Sequence, residues 1–204
     1  YAREVAQAFG TNHREGLVTP DVASLFDQLV VHMDEPFGDV SMFPTFMVSR
    51  LARQHVTVAL AGDGGDELFG GYDAYEAQAL AARLSRVVPR GAMRALDALT
   101  SLLPPAEQKK GLVNKVKRFS AGAARFPAAI GQYRWMTFAD GFEKRQLYSP
   151  ALQAQLSGTD VHRAVREVFG QADANAPGGD WLNRQLYADL QVYLADDILV
   201  KVDR

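Results

Sequence analysis

The stretch that decides the fold is VTVALAGDGGDELFGGY, residues 56–72. Its first part, residues 56–61, is mostly apolar and has no polar face, which is typical of a strand buried on both sides in a parallel sheet. Closely spaced glycines follow, and a helical pattern begins at Asp66. Open α/β sheets bind their ligands where such a strand ends and a helix starts. The sequence therefore predicts a ligand site that contains Asp63, Asp66 and Glu67.

The glycine turn departs from the common phosphate and calcium motifs. A dinucleotide fingerprint needs glycine where Glu67 stands, and a Walker loop needs lysine after Gly70, which is followed by Gly71. A calcium loop that began at Asp63 would need a ligand at its third position, but two glycines follow Asp63 and the third position is Gly65. Two interpretations remain: acids that stabilise the start of a helix, or carboxylates that hold Mg²⁺ beside phosphate oxygens. The spacing alone leaves both open.

Outward from this stretch, the first part of the chain has an α/β pattern and the remainder is helical. A weak strand is predicted over residues 15–19, and Asp21 is placed to cap the helix that follows. A strand buried on both faces needs neighbours on both edges, so we expect the other strands of the sheet outside these 204 residues. We predict an α/β, predominantly helical fold: a partial parallel sheet followed by helices. Helical spacing of apolar residues occurs in 1–9, 22–30, 47–51, 112–119 and 182–194.

Composition limits the function classes. The chain is 48% hydrophobic, 23% charged and has a net charge of −2, so we expect neither nucleic acid nor a membrane surface as a partner. It has no cysteine, which excludes disulfides, thiolate metal sites and a cysteine nucleophile within it. It shows no signal peptide and no apolar run near 18 residues, and we expect a cytoplasmic location. Because the chain begins inside a helical pattern, we expect a piece of a longer protein.

Four segments carry a resemblance to a known family. LAGDGGDELFGGY, residues 60–72, resembles the second signature motif of the asparagine synthetase family, SGDGGDE-FGGY or SGEGSDE-FGGY. DEPFGDVSMFPTFMVSRLAR, residues 34–53, is similar to the family segment just upstream. YLADDILVKVDR, residues 193–204, is similar to the segment that leads into the family's EARVPFLD stretch. The opening, YAREVAQAFGTNHRE, also resembles the family's sequence after its first phosphate-binding loop.

The resemblance implies a fold and a reaction. It implies an ATP-pyrophosphatase (adenine nucleotide alpha hydrolase-like) domain, with residues 1–72 in its nucleotide-binding α/β region and 73–204 in its helical region. Members use ATP and Mg²⁺ to adenylate aspartate, and ammonia from glutamine then displaces AMP to give asparagine. The family's glutaminase domain, its SGGxDS phosphate loop and its catalytic lysine lie outside these residues. We therefore expect the isolated chain to be inactive, and a glutaminase domain in the same parent chain.

The resemblance also assigns roles by position. Asp66 matches the aspartate that binds magnesium and pyrophosphate, and Asp63 matches the acid beside the acyl-adenylate, a glutamate in some members. Asp63 is suited to act as general base toward ammonia. Ala61 stands where the family often has serine, so no hydroxyl contact is expected there. The expected nucleotide- or pyrophosphate-binding residues are Gly62, Gly64, Gly65 and Glu67, and the expected substrate-pocket residues are Asp39 and Ser41.

Two other functions are compatible with the sequence. One is a related amide-forming ligase with another acceptor, from a β-lactam synthetase or a polysaccharide pathway; the β-lactam branch is disfavoured because tyrosine is expected in place of Asp63. The other is a non-catalytic helical interaction module that kept an acidic turn.

Outside the turn, Asp197 continues an apolar helix face. Since a buried charge is costly, we predict that Asp197 pairs with Lys201, which lies one helical turn away.

Overall fold

The computed structural model describes residues 1–17, 22–35, 37–104, 111–126, 130–137, 139 and 141–203. Helices contain most of these residues, which confirms the prediction of a predominantly helical chain, and the described ranges contain no strand. The chain divides into two compact units. The first consists of Tyr1–Asp63 with Ala195–Arg204, and the second of Gly64–Leu194. None of the described helices is long and apolar enough to cross a membrane.

The first unit has its core between two helices. Helix α2 (Val22–Met33) packs on α3 (Met42–Arg53), and α13 (Leu199–Asp203) also packs on α3. The predicted apolar face of α2 is only partly buried: the row at positions 25, 29 and 33 faces α3, whereas Phe26 and Val30 are exposed. The helices are α1 (Ala2–Ala8), α2 (Val22–Met33), α3 (Met42–Arg53) and α13 (Leu199–Asp203). The core residues are Leu25, Leu29, Met33, Met42 and Phe43.

All regular secondary structure in the described residues of the second unit is helical. Helix α6 packs along α7, α11 along α12, and α12 also contacts α4. The predicted helices near 112–119 and 182–194 are confirmed, and the second continues as a π-helix over Asp189–Ile198, which passes from this unit into the first. Before it come α4 (Gly65–Phe69), α5 (Asp73–Leu84), α6 (Arg90–Ser101), α7 (Leu112–Arg125), α8 (Tyr133–Met136), α9 (Gly141–Leu147), α10 (Pro150–Gln155), α11 (Arg163–Asn175) and α12 (Trp181–Ala188).

The predicted buried strand over residues 56–61 is not confirmed. This segment has no regular secondary structure, and the exposed fractions of Val56, Val58 and Leu60 are 46%, 78% and 99%. A strand needs a neighbour to receive its backbone hydrogen bonds, and the described residues offer none. Residues 15–17 of the weak predicted strand are also irregular. Its end and the predicted cap Asp21 lie outside the described residues.

Helix α7 contains a close contact that yields a stability prediction. A Cβ added at Gly122 would lie 2.3 Å from the Trp135 ring, which stacks on Phe119 at 5.2 Å. We expect Gly122→Ala to lower the free energy of unfolding by about 1–3 kcal/mol, the usual cost of overpacking. Gly170→Ala is the matched control: a Cβ there meets no atom within 4 Å inside α11, so helix propensity should raise stability by up to about 1 kcal/mol. Urea unfolding of both variants measures the difference, and equal effects would contradict the close packing.

Candidate nucleotide and acceptor sites

The glycine turn forms a short helix bounded by glycines at both ends. Gly64 precedes α4 with φ of 89° and Gly70 follows it with φ of 72°. Both angles lie in the left-handed region that glycine adopts without steric cost. Backbone bonds run from Leu68 N to the Gly64 oxygen at 3.0 Å and from Gly70 N to the Asp66 oxygen at 2.9 Å. The spacing of the glycines in the sequence thus fixes where this five-residue helix starts and stops.

Asp66 presents an exposed carboxylate at the start of α4. Its side chain makes no hydrogen bond or ion pair with the described residues, so it does not act as a hydrogen-bonded cap. A Cβ at Gly71 would lie 1.9 Å from Asp66 Oδ1, which shows that the carboxylate rests against glycine backbone. The described residues contain no group of three or more acids and histidines that could hold a metal. Magnesium bound through one or two carboxylates and substrate phosphates does not require such a group.

Glu67 points into the second unit. It is 1% exposed, and the Tyr72 hydroxyl donates a hydrogen bond to its Oε1. Burial and the bond to Glu67 raise the pKa of Tyr72, and the Tyr72 ring contacts Tyr75 and Tyr193 at 6.0 and 5.8 Å. This geometry makes Glu67 a support for the turn, and its contact with pyrophosphate stays a prediction. Tyr72 was not predicted as the hydrogen-bond partner of Glu67, although both residues lie in the same motif.

The predicted site residues divide between the two units. Gly62 and Asp63 are the last residues of the first unit's long segment, and both are exposed. Asp63 makes no hydrogen bond or ion pair with any described residue, so its carboxylate is open to a ligand. A Cβ at Gly62 or Gly65 would meet no atom within 4 Å, which leaves the backbone open at both positions. Gly64 is buried, and Leu194 is the nearest side chain to it.

Asp39 and Ser41 form a tight polar loop in the first unit. Asp39 Oδ1 accepts the Ser41 backbone N–H at 2.9 Å, and Oδ2 accepts the Ser41 hydroxyl at 2.5 Å. Lys201 Nζ donates to the same Oδ2 at 2.6 Å. Burial alone would raise the pKa of Asp39, but the bonds from Lys201 and Ser41 outweigh it and hold that pKa below its usual value. The structure thus brings together the two residues predicted for the substrate pocket.

The predicted pair between Asp197 and Lys201 is replaced by another. Lys201 forms its ion pair with Asp39, and Asp197 has no hydrogen bond or ion pair within the described residues. Burial and the charge of Asp39 raise the pKa of Asp197, and the charge of Lys201 opposes them. The local i, i+4 spacing suggested the wrong partner because a residue distant in sequence lies closer to the ammonium group.

A buried polar network surrounds Asp189 in the second unit. Asp189 is 0% exposed, and its Oδ2 accepts hydrogen bonds from the Tyr75 hydroxyl and from Gln132 Nε2. Burial raises the pKa of Asp189, although both bonds oppose that shift. Asp189 Oδ1 and Gln132 Oε1 are buried without a donor. A charged oxygen that is buried without a donor is costly, so the geometry favours the neutral carboxylic acid at Asp189. Asp189 was not predicted from the sequence, although it is an acid between the apolar residues of one helix.

Asp189 gives a pH-dependent stability prediction. An acid whose pKa is raised in the fold binds more protons there than in the unfolded chain, so stability falls as pH rises from about 4 through the folded pKa. Asparagine mimics the neutral acid and cannot titrate. We therefore expect the stability of Asp189→Asn, relative to the parent, to increase from pH 4 to pH 8, as measured by urea unfolding. Asp189→Ala should be less stable than Asp189→Asn by about 1–3 kcal/mol per buried group left unpaired, at every pH, because neither variant titrates at this position. A stability of Asp189→Asn relative to the parent that does not increase with pH would contradict a raised pKa of Asp189 in the fold.

An open groove of about 640 Å³ runs along α1 and the residues that follow it, and none of the predicted site residues lines it. Arg3 and Glu15 face each other across it, with Nη2 and Oε2 2.6 Å apart. The bond from Arg3 lowers the pKa of Glu15 to about 2. Because these charges neutralise each other on an exposed surface, we attach no function to the groove.

Comparisons with known proteins agree with the resemblance in the motifs. A putative asparagine synthetase [glutamine-hydrolyzing] of Mycobacterium tuberculosis (strain H37Rv) is 32% identical over 206 residues, which cover 98% of this chain and 28% of that protein. Asparagine synthetase [glutamine-hydrolyzing] 1 of Bacillus subtilis is 29% identical over 212 residues, 100% of this chain and 30% of that protein. A putative asparagine synthetase [glutamine-hydrolyzing] 2 of Methanocaldococcus jannaschii is 49% identical over 73 residues, 35% of this chain and 14% of that protein.

The chain therefore spans less than a third of the length of these relatives. No solved structure is significantly similar to it. The family model described as asparagine synthase matches residues 1–204, which is the whole chain. On this evidence the chain belongs to the asparagine synthase family.

Proposed function

We propose that the chain is part of the synthetase domain of a glutamine-dependent asparagine synthetase. In the complete protein, ATP adenylates the side-chain carboxylate of aspartate, and ammonia from glutamine displaces AMP to give asparagine. Family membership and the names of the relatives support this reaction. The observation that carries the proposal is the exposed, unpaired carboxylate of Asp66 against the backbone of Gly71, at the start of α4.

ATP and Mg²⁺ are the cofactors that this turn suits. Asp66 would hold Mg²⁺ beside pyrophosphate, to which Gly64 and the open backbone at Gly65 would also bind. Gly62, whose backbone is also open, is the proposed contact of AMP. Bound magnesium supplies positive charge that neutralises pyrophosphate as it forms. The chain's contribution is to place a carboxylate and uncrowded backbone amides at that anion. Glu67 and its bond from Tyr72 keep the turn in shape.

Asp63 is the base that we assign to the second step. The lone pair of ammonia attacks the acyl carbon, the bond from that carbon to the AMP oxygen breaks, and a proton must leave the nitrogen. An exposed carboxylate without a protein partner can accept that proton. Asp39 and Ser41 belong to the pocket for the acceptor amino acid in this proposal. Orientation and charge stabilisation supply the rest of the rate enhancement.

The architecture of the complete protein is the remaining part of the proposal. Val56, Val58 and Leu60 alternate along the chain and are exposed apolar side chains on one face of a potential strand. We infer that residues 56–61 pair with strands from the rest of the protein, so that residues 1–72 belong to a nucleotide-binding α/β region and 73–204 to a helical region. A glutaminase domain in the same chain supplies ammonia, in the cytoplasm.

An assay of the complete protein tests this function. With ATP, Mg²⁺ and aspartate, we expect aspartate-dependent release of pyrophosphate, and asparagine and AMP once glutamine or ammonia is added. The purified 204-residue chain is the internal comparison and should release none. Pyrophosphate release that depends on another carboxylic acid would instead assign a related ligase. No release with any acceptor, from a folded complete protein, would favour a non-catalytic interaction module.

A further inference from the structure

Lys201 is a buried lysine that contacts the Asp39–Ser41 loop. Its side chain is 9% exposed and its Nζ lies 2.6 Å from Oδ2 of Asp39, whose side chain is 24% exposed. Lysine is almost never this buried without a charged partner. The pair joins α13 to the residues just before α3, and α13 also packs on α3. A residue from the far end of the sequence therefore anchors this loop.

Asp39 links Lys201 to Ser41 through hydrogen bonds. Its two oxygens accept the backbone N–H and the hydroxyl of Ser41, so the direction of the carboxylate sets the direction of the hydroxyl. Asp39 is ionised because the bonds from Lys201 and Ser41 lower its pKa against the effect of burial. The Ser41 hydroxyl must then be the donor in their bond, which leaves its oxygen lone pairs available to a ligand.

The charges around Lys201 explain why the lysine is needed. Asp39 and Asp197 repel each other, and the repulsion contributes to the raised pKa of Asp197. Lys201 is the cation that attracts both, and no other cation pairs with either acid among the described residues. Loss of the ammonium group would leave two carboxylates facing each other in a partly desolvated site, an arrangement that pushes the Asp39 loop outward.

We propose that Lys201 is a positioning residue for acceptor binding, which acts through Asp39 to hold the Ser41 hydroxyl in place. In this role Lys201 acts through Asp39 and not by direct contact with ATP or the reacting atoms. The role rests on the proposed function, because that function makes the Asp39–Ser41 loop part of the acceptor pocket. This role would explain why Lys201 and Asp39, which are 162 positions apart in the sequence, are paired in the fold.

The test is kinetic and uses the complete protein. We expect Lys201→Met to raise the KM for aspartate by about 10–100-fold, the cost of a misplaced binding group, while the KM for ATP changes less than about twofold. The split follows because the Asp66 turn belongs to the other unit. Lys201→Arg should restore most of the aspartate affinity, since it keeps the charge. Lys115→Met is the control: Lys115 is exposed and lies 3.8 Å from Asp73.

Two further measurements separate the possible outcomes. Hydrogen exchange at the Ser41 amide, which is bonded to Asp39, should be faster in Lys201→Met than in the parent. If the melting temperature falls but the KM for aspartate does not change, Lys201 is only structural and the proposal is wrong. If the KM values for aspartate and ATP rise together, the positioning role is also wrong. If the parent shows no aspartate-dependent pyrophosphate release, the proposed function fails, and with it the assignment of Lys201 to acceptor binding. Lys201→Gln, which retains a donor, serves if the methionine variant does not fold.

Discussion

Asp66→Asn in the complete protein is expected to abolish AMP formation from aspartate and ATP while glutamine hydrolysis continues nearly unchanged. Asparagine keeps the size of the side chain but loses the charge that would hold Mg²⁺ against pyrophosphate. Asp66 is exposed and makes no hydrogen bond or ion pair with the described residues, so the substitution removes neither kind of bond from the described fold. The loss should therefore appear in the synthetase reaction alone.

Asp73→Asn is the matched control for this variant. Asp73 is also an exposed acid in the first turn of a helix, α5, and its side chain is 3.8 Å from Lys115. An acid in that position stabilises a helix by about 0.3–1 kcal/mol through the helix dipole, so both variants should lose a similar small amount of stability. AMP formation is measured by chromatography of the nucleotide products. Parental AMP formation by Asp66→Asn would show that Asp66 only stabilises the start of α4.

Local patterns in the sequence predicted the helices well. The apolar spacing in residues 112–119 and 182–194 corresponds to α7 and to α12 with its π-helical continuation. Helical periodicity is a property of neighbouring residues, so the sequence contains what is needed to recognise it. The same is true of the turn, where glycines at 64 and 70 bound α4 because each adopts a positive φ.

Features that depend on distant residues were not predictable in the same way. The strand expected at 56–61 requires partner strands, and the described residues provide none. Lys201 pairs with Asp39, 162 positions away, and Tyr75 donates to Asp189, 114 positions away. Helical spacing relates residues only three or four positions apart, so it predicted an ion pair between Lys201 and Asp197.

The motif predicted which residues gather at the turn but not which way they face. Glu67 and Asp66 are adjacent acids, yet Glu67 is 1% exposed beneath Tyr72 whereas Asp66 faces solvent. On a helix, neighbouring residues point about 100° apart, so two adjacent acids can lie in different surroundings. Glu67 faces the interior, where Tyr72 bonds to it and α12 contacts α4. The roles of Asp66 and Glu67 at a ligand are thus expected to differ.

Asp63→Asn is expected to separate the two half-reactions. As a base, Asp63 acts after adenylation, so aspartate-dependent exchange of pyrophosphate into ATP should continue. Asparagine production should fall by roughly 10²–10⁴-fold, the usual contribution of a positioned base. Asp63→Glu is the conservative control, because glutamate occupies this position in some members of the family that the motif resembles. It should retain more synthesis than the amide.

The competing explanation is that Asp63 orients the turn through a hydrogen bond to nearby backbone amides, as aspartates in turns often do. In the structure its exposed carboxylate makes no such bond with the described residues, which favours the role in proton transfer. The two explanations predict different patterns of loss. If Asp63 shaped the turn, its replacement would deform the backbone at Gly64 and Gly65, and exchange and synthesis would fail together. Equal loss of both half-reactions in Asp63→Asn would therefore remove Asp63 from the catalytic residues, whereas exchange without synthesis requires a base at this position.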